Sequence, residues 1–143
     1  MNIYISLNNL NSKKIGYQKP VRNKIKSYTN FYRILYNEPC YTIYNLMIKI
    51  PLNSIITNTH NNVYRISFTN HLLHYLFRIE TDILKNINYI TSKRILHNLY
   101  NECINKRYII KATEEIKNIT LRISGIWESN EHIGMTYKFI TNL

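Results

Sequence analysis

The chain is poor in cysteine, glycine, tryptophan and acidic residues, and these scarcities narrow its chemistry. Its 143 residues include two cysteines, three glycines, one tryptophan and eight Asp or Glu. Cys40 and Cys103 have neither CxxC spacing nor the density of a disulfide-stabilised fold, so we interpret them as reduced thiols of a cytoplasmic protein. The carboxylates are too few and too scattered to indicate paired acid–base or two-metal chemistry. There is no phosphate-binding glycine loop, GxSxG or HExxH motif.

Long apolar segments are also missing. No stretch approaches the roughly 20 apolar residues of a membrane span. The start, "MNIYISLNNLNSKK", lacks the charged region, apolar core and cleavage site of a secretory signal. His71 and His74 have the spacing to share a helical face, but no Cys, Asp or Glu nearby completes a metal-ligand set. We therefore predict one non-catalytic domain without metal, cofactor or membrane, large enough for a modest core.

Basic residues dominate the charge of the chain. Nineteen Lys and Arg against eight Asp and Glu give a net charge of +11. A basic domain attracts polyanions, and nucleic acid is the usual partner. The abundance of Ile, Asn, Lys and Tyr is typical of an AT-rich genome, which explains part of the Lys excess but not the shortage of carboxylates. The alternative partner is an acidic protein or a membrane surface.

The cations are concentrated near the N-terminus. No acidic residue precedes Glu38, whereas seven cations do: Lys13, Lys14, Lys19, Arg22, Lys24, Lys26 and Arg33. We predict that residues 1–27 form a basic, flexible arm that orders on a partner. An ordinary solvated extension is the alternative. Residues 28–143 are then a single domain.

Alternating apolar and aromatic residues predict strands in much of this domain. "NFYRILY" fits a strand or, because Tyr28, Tyr32 and Tyr36 are four apart, a helical turn. "CYTIYNLMIKI" predicts one strand. One of its faces would carry Tyr41, Ile43, Asn45, Met47 and Lys49, and the other Thr42, Tyr44, Leu46, Ile48 and Ile50.

Two helices and further strands are predicted downstream. "HLLHYLFRIETDILKNI" carries a helical apolar stripe with Asn70 as N-cap, and "SKRILHNLYNECINK" predicts a second helix capped by Ser92. "SIITNTHNNVYRISFTN" predicts a hairpin turning at "THNN". "RYIIKA" predicts a strand, and residues 118–140 predict two strands joined at "ESNEH". The sum is five to seven strands with one or two helices.

Aromatic residues alternate with cations in "FYR", "VYRISF", "KRY" and "TYKF". Single-stranded nucleic acid requires this combination, since cations contact phosphates and each base stacked on an aromatic ring contributes roughly 1–3 kcal/mol. The alternative is that the tyrosines are mainly core and cross-strand pairs. The stacking candidates are Tyr41, Tyr44, Tyr64, Phe68 and Trp127. The candidate phosphate contacts are Lys49, Arg65, Arg122 and Lys138, followed by Lys106 and Arg107.

The segment "LRISGIWESNEHIGMTYKF", residues 121–139, resembles the C-terminal pattern of small single-stranded DNA-binding proteins of large cytoplasmic DNA viruses. The shared pattern is an alternating strand, Gly-Ile-Trp-Glu, a polar turn and Gly-x-Thr-Tyr-Lys-Phe. The composition and the 17.2 kDa mass also resemble the corresponding proteins of yeast cytoplasmic linear (killer-type) plasmids, which are virus-like elements. The resemblance implies an OB-fold-like barrel, with Trp127, Tyr137 and Lys138 in its terminal hairpin.

These observations predict an α+β fold with an OB-fold-like β-barrel of five or more antiparallel strands and one or two helices. The expected function is sequence-independent, non-catalytic binding of single-stranded DNA during replication. A structural or assembly protein of a virus-like element, or a duplex-binding terminus or promoter factor, are the alternatives. RNA in place of DNA, a homo-oligomer and contacts with other replication proteins are left open.

Overall fold

The structure combines strands and helices, as the residue patterns along the chain predict. The computed structural model describes residues 4–22, 29–60, 63–105, 110–112 and 114–143. Within these residues lie two α-helices, α1 (Asn70–Thr91) and α2 (Asn98–Ile104), and twelve strands. The strands are β1 (Ile5–Ser6), β2 (Ile15–Tyr17), β3 (Val21–Arg22), β4 (Asn30–Asn37), β5 (Thr42–Tyr44), β6 (Leu46–Ile50), β7 (Ile55–His60), β8 (Val63–Phe68), β9 (Arg94–Ile95), β10 (Ile110–Ala112), β11 (Ile119–Glu128) and β12 (His132–Thr141).

The C-terminal hairpin that the sequence predicts is the longest pair of strands. β11 and β12 pair antiparallel from Ile119 opposite Thr141 to Glu128 opposite Ile133. The turn falls within the predicted "ESNEH" segment, where the Ser129 backbone N donates to the His132 carbonyl at 2.9 Å. This hairpin forms the centre of a nine-stranded sheet.

The edge of β11 that does not pair with β12 pairs with two other strands. Its first half pairs with β6, and its second half pairs with β4. A register shift between Ile123 and Gly125 separates the two halves, and such bulges bend a strand and increase its twist. β4 then continues beyond β11 to pair with β5, while β2 and β3 occupy its other edge.

The α+β class is confirmed, but the predicted barrel is not formed by the described residues. The main path of the sheet runs β1-β6-β11-β12-β9, and its two end strands do not pair with each other. Leu76 and Ile83 of α1 share one core with Ile126 and Ile133 of the central hairpin. Because the helices cover the apolar face of the sheet, the sheet buries that face without curling into a closed barrel.

A second, three-stranded sheet contains the predicted hairpin of residues 54–70. β7 and β8 pair antiparallel from Ile55 opposite Phe68 to His60 opposite Val63, and β10 pairs with the other edge of β8. This sheet joins the same core, because Phe68 packs on Phe139 of β12 with ring centroids 5.2 Å apart.

The stretch for which we predicted a basic arm, residues 1–27, contributes to the core where it is described. Ile5, Leu7 and Ile15 are buried in the same cluster as the helices. β1 pairs parallel with β6, and β2 pairs with β4. The Tyr75 hydroxyl of α1 donates to the Leu7 carbonyl. The arm's first three residues and residues 23–28 lie outside the described part of the chain.

The predicted strand of residues 40–50 breaks at Asn45. That residue has a φ of 67°, the left-handed region that asparagine tolerates better than most residues. β5 therefore leaves β4 and continues as β6 beside β11. The prediction that Tyr44 shares a face with Leu46 is wrong, since Tyr44 is 58% exposed whereas Leu46 is 1% exposed. "NFYRILY", which fitted a strand or a helical turn, is the strand β4.

The first helix is confirmed, but its predicted cap is wrong by one residue. The Leu73 backbone N donates to the Thr69 carbonyl at 3.0 Å, and the Leu72 backbone N donates to Thr69 Oγ1 at 3.4 Å. Thr69 is therefore the N-cap, and Asn70 is the first residue of α1. A threonine oxygen replaces the predicted asparagine in the same chemical role.

The second predicted helix is shorter than expected. Ser92 has a φ of 54°, so it is not a helix cap. Ile95 lies in β9, which pairs with β12, because this short segment completes the sheet edge before the helix begins. Leu99 and Cys103 are buried, while Ile104 is 46% exposed.

The buried carboxylate of Glu80 anchors α2 to α1. Its Oε2 accepts from the Leu99 backbone N at 2.9 Å, and its Oε1 accepts from the Tyr100 backbone N at 3.2 Å. These donors belong to the first turn of α2, whose amide groups require acceptors. Burial raises the pKa of Glu80 to about 7, and the nearby Glu102 charge adds to the rise, while the two backbone hydrogen bonds oppose it.

Stability is expected to depend on pH through Glu80. Because its pKa is higher in the folded chain than the usual 4.5, its contribution is fully present below about pH 4.5 and is lost as pH rises through about 7. The free energy of unfolding should fall across this range by on the order of 3 kcal/mol relative to a Glu80→Gln variant, which does not ionise. Urea denaturation of both proteins at several pH values measures the difference. If the free energy of unfolding of the unmodified protein minus that of the variant stays constant or rises with pH, the prediction is contradicted.

Candidate nucleic-acid interface

The sheet has a second face, turned away from the helices, which we call the basic face. Residues that pair directly across antiparallel strands share a face, so the register identifies its members. The basic face comprises the positions Phe31, Arg33, Met47, Lys49, Thr120, Arg122, Gly125, Trp127, Gly134, Thr136, Lys138 and Ile140. Its central residues Met47 and Thr120 are buried, and the longer side chains around them form the accessible surface.

The cations of the basic face lie on neighbouring strands. Arg122 on β11 is directly opposite Lys138 on β12. Lys49 on β6 is opposite Thr120, which places it diagonally beside Arg122. Arg33 on β4 is opposite Gly125. Like charges directly opposite each other destabilise a sheet, so the fold itself gains nothing from this arrangement.

The basic face is formed by β4, β6, β11 and β12, and Glu128 is the one carboxylate in these four strands. Its side chain lies on the opposite face of the sheet, which the helices cover. Its register partner is the buried Ile133. Its Oε1 accepts from Asn30 Nδ2 at 2.9 Å, and its Oε2 pairs with Lys93 Nζ at 3.3 Å. Burial and the Glu128 carboxylate both raise the pKa of Tyr32, whose hydroxyl donates to the same Oε1 at 3.3 Å. Glu128 therefore ties β4 to β11 without neutralising the basic face.

Ion pairs do not involve the cations of the basic face in the described chain. The two salt bridges found there are Lys14–Glu38 and Lys93–Glu128. Lys49 instead has its Nζ 5.3 Å from the centre of the Tyr4 ring, a cation–π contact. The Lys49 charge therefore stays available to an anion.

Two aromatic rings cover the glycines of this face. A Cβ atom at Gly134 would lie 2.4 Å from Trp127 Cζ2, and one at Gly125 would lie 2.6 Å from Phe31 Cζ. Trp127 is opposite both Gly134 on β12 and Phe31 on β4. Neither glycine has a positive φ, so each is required because space is short. The Trp127 ring lies close to the backbone at Gly134, and the Tyr32 carbonyl oxygen and the Phe31 ring lie close to it at Gly125. Trp127 and Phe31 are both half-buried and lie outside the core cluster. They therefore form adjacent aromatic surfaces.

The structure brings several of the predicted site residues together. Lys49, Arg122, Trp127 and Lys138 all belong to the basic face. Tyr44 pairs with Leu35 on β4, and alternation along β4 places it on the same side as Phe31 and Arg33. The break at Asn45 makes this possible, because it moves Tyr44 off the apolar side of β6. Tyr41 is 51% exposed in the segment before β5.

Other predicted site residues lie elsewhere. Phe68 is 7% exposed and packs on Phe139. Its prediction as a stacking residue is therefore wrong, because the core covers its side of β8. Arg65 is exposed on β8, opposite Lys111 of β10. Tyr64 lies in β8 opposite Ala112, but its side chain is outside the described residues, as are Lys106 and Arg107 altogether.

Three residues of the surface are not among the site residues predicted from the sequence. Phe31 and Arg33 come from β4, and Tyr4 meets Lys49 from just before β1. The aromatic–basic cluster "FYR" contains Phe31 and Arg33 and is the signal in the sequence that points to them. Their position beside Trp127, however, follows from pairing between segments almost one hundred residues apart, as in the 98-residue separation of Asn30 and Glu128.

Other kinds of site have little support in the described residues. No three His, Cys, Asp or Glu side chains come together there as a metal ion would require. Of α1 and α2, neither has the length and apolarity to cross a lipid bilayer, judged on their described residues. Cys40 is exposed and Cys103 is buried, and both are free thiols.

Known proteins offer no template for this surface. No protein-family model, curated protein sequence or solved structure matches the chain. A function for the basic face is therefore argued from its own side chains.

Proposed function

We propose that the chain binds single-stranded nucleic acid, and DNA in the first place, through the basic face of its sheet. The observation that carries the proposal is the combination on one surface of Arg33, Lys49, Arg122 and Lys138 with the rings of Phe31 and Trp127. Cations attract phosphates, and aromatic rings stack with unpaired bases of any sequence. The binding is sequence-independent and involves no catalysis.

Single strands suit this surface better than duplex. Duplex DNA buries its base faces in the stack, and proteins usually read it with a helix placed in the major groove. Here α1 and α2 pack against the sheet on the side away from the basic face. Adjacent aromatic rings on an open sheet instead meet bases that are already unstacked. Barrel closure is not required, because the open face supplies both the cations and the rings.

The biological setting is part of the same proposal. Residues 121–139 resemble viral single-stranded DNA-binding proteins, and the composition and mass resemble those of cytoplasmic linear plasmids. Both resemblances are consistent with protection of displaced strands during replication of a cytoplasmic virus-like element. A protein with this role needs affinity for any sequence, which stacking and phosphate contacts provide. Contacts with other replication proteins are part of the same proposed role.

Titration of labelled single- and double-stranded oligonucleotides at several salt concentrations tests the proposal. Single strands should bind more tightly, quench Trp127 fluorescence, and weaken with salt because bound cations release counterions from the phosphates. Equal or tighter duplex binding would contradict the proposal in favour of a duplex-binding terminus or promoter factor. An absence of binding at low salt would favour a structural protein.

Stacking and phosphate contacts should be separable at Tyr44 and Lys49. Tyr44→Ala removes an exposed ring, so affinity should fall by about 5- to 100-fold with an unchanged salt slope. Lys49→Ala removes one cation, so the slope of log K against log salt should become shallower by about 0.7. Lys85→Ala, at an exposed position of α1, is the control and should change neither quantity. A reversed pattern would mean that the two side chains have the opposite roles.

A further inference from the structure

An open pocket lies beside the basic face, between β3 and the first half of β4. It is lined by Gln18, Lys19, Val21, Arg22, Phe31 and Arg33. Three of these residues are cationic and none is acidic. Val21 and Phe31 are directly opposite each other across the strand pair and supply an apolar surface. The lining therefore combines a planar ring, an aliphatic side chain and positive charge.

The pocket and the basic face share residues. Phe31 and Arg33 line the pocket and also occupy the positions opposite Trp127 and Gly125 on β11. Directly opposed residues have Cβ atoms about 5 Å apart, so an occupant of the pocket lies next to Trp127. A nucleic-acid strand on the basic face can therefore extend into the pocket across Trp127 and Phe31, without passing an acidic residue.

The backbone around the pocket is fixed by hydrogen bonds. β3 pairs with β4 through Val21 opposite Phe31 and Arg22 opposite Asn30. The Gln18 backbone N donates to the Arg33 carbonyl at 2.9 Å. The Phe31 ring is held over Gly125. A site of this kind is formed before its ligand arrives, and less conformational entropy is lost on binding.

We propose that this pocket is a nucleotide subsite, which takes one unstacked base against Phe31 and Val21 and the phosphate of the same nucleotide between Lys19 and Arg33. The inference rests on the proposed function and names where one nucleotide of the bound strand is held. An aromatic ring accepts the flat face of any base, and a guanidinium donates a pair of parallel hydrogen bonds to phosphate oxygens. The subsite therefore prefers a nucleotide to free inorganic phosphate.

Substitutions at Val21 test the subsite with little risk to the fold, because this side chain is 67% exposed. Val21→Glu places a carboxylate among the cations, and Val21→Gln is the matched control of the same shape without charge. Thymidine 5′-monophosphate is the probe, read by Trp127 fluorescence and by calorimetry. Val21→Glu should weaken its binding about tenfold relative to Val21→Gln. Lys85→Gln, at an exposed position of α1 away from the pocket and the basic face, should leave monophosphate binding unchanged.

Equal binding of the monophosphate to the Glu and Gln variants, or no binding to the unmodified protein, overturns the subsite. Parallel titration with a short oligothymidylate shows which proposal has failed. If the oligonucleotide binds and is sensitive to Lys138→Gln but not to Val21→Glu, the basic face is supported and the subsite is rejected. If the monophosphate is sensitive to Val21→Glu while the oligonucleotide does not bind, the subsite is supported and the proposed function is rejected.

Discussion

Reversing the paired cations with Arg122→Glu and Lys138→Glu is expected to weaken single-strand binding by about a hundredfold or more. The two side chains are directly opposite on β11 and β12, so both substitutions act at the same point on the bound strand. Two phosphate contacts are lost, and two carboxylates repel the phosphates that remain nearby. Fluorescence anisotropy with a labelled oligonucleotide measures the change at constant salt.

Folding should survive this double substitution, because one like-charged pair replaces another at the same positions. The single Lys138→Glu variant provides a sharper separation of stability from binding. It places opposite charges across the strands and should raise the free energy of unfolding by about 0.2–1 kcal/mol, while single-strand affinity falls. A gain in stability with a loss of affinity is the outcome expected of a surface arranged for a ligand.

A control variant is needed to separate the effect of the net charge of the protein from the effect of where the substituted cations lie. The variant with Lys13→Glu and Lys85→Glu removes the same net charge. Lys13 and Lys85 are exposed, Lys85 on α1 and Lys13 in a short 3₁₀ turn, Ser12–Lys14, that contacts α1. This control should weaken binding only through the long-range field, by about tenfold or less at physiological salt. Equal losses in the two variants would contradict a localised site on the basic face.

Gly125→Ala is expected to be the most destabilising of the small substitutions, lowering the free energy of unfolding by about 3 kcal/mol. A Cβ atom there would lie 2.3 Å from the Tyr32 carbonyl oxygen and 2.6 Å from Phe31 Cζ. The oxygen belongs to the backbone of β4, so relief requires β4 and β11 to separate. Urea denaturation followed by circular dichroism measures the loss.

The other two glycines are matched controls for this prediction. At Gly16 the contact is the Asn37 side-chain amide at 2.9 Å, which is exposed and moves aside, so Gly16→Ala should change stability by less than about 1 kcal/mol. At Gly134 the contact is the Trp127 ring. Gly134→Ala should displace the ring, shift its fluorescence and reduce single-strand affinity. Equal stability losses at Gly16 and Gly125 would contradict the close approach at Gly125.

Local patterns in the sequence predicted the elements whose partners are near in the chain. Alternation and polar turn residues identified the hairpins β7–β8 and β11–β12, because both strands and the turn are contiguous. The apolar stripe of residues 72–87 identified α1. The same kind of reasoning failed at Asn45, where one residue in the left-handed region redirects the strand, and at Ser92, where a short strand precedes the helix.

Composition does not depend on folding, so the amino-acid sequence already shows that this protein is basic, has few carboxylates and carries aromatic residues among its cations. It also indicated Lys49, Arg122, Trp127 and Lys138 individually. Long-range strand pairing and packing place them on one face with Phe31 and Arg33, and place Phe68 in the core. This could not be predicted, because strand alternation defines two faces without specifying which one is covered. The helices settle that choice by packing on the apolar face and leaving the charged one to solvent.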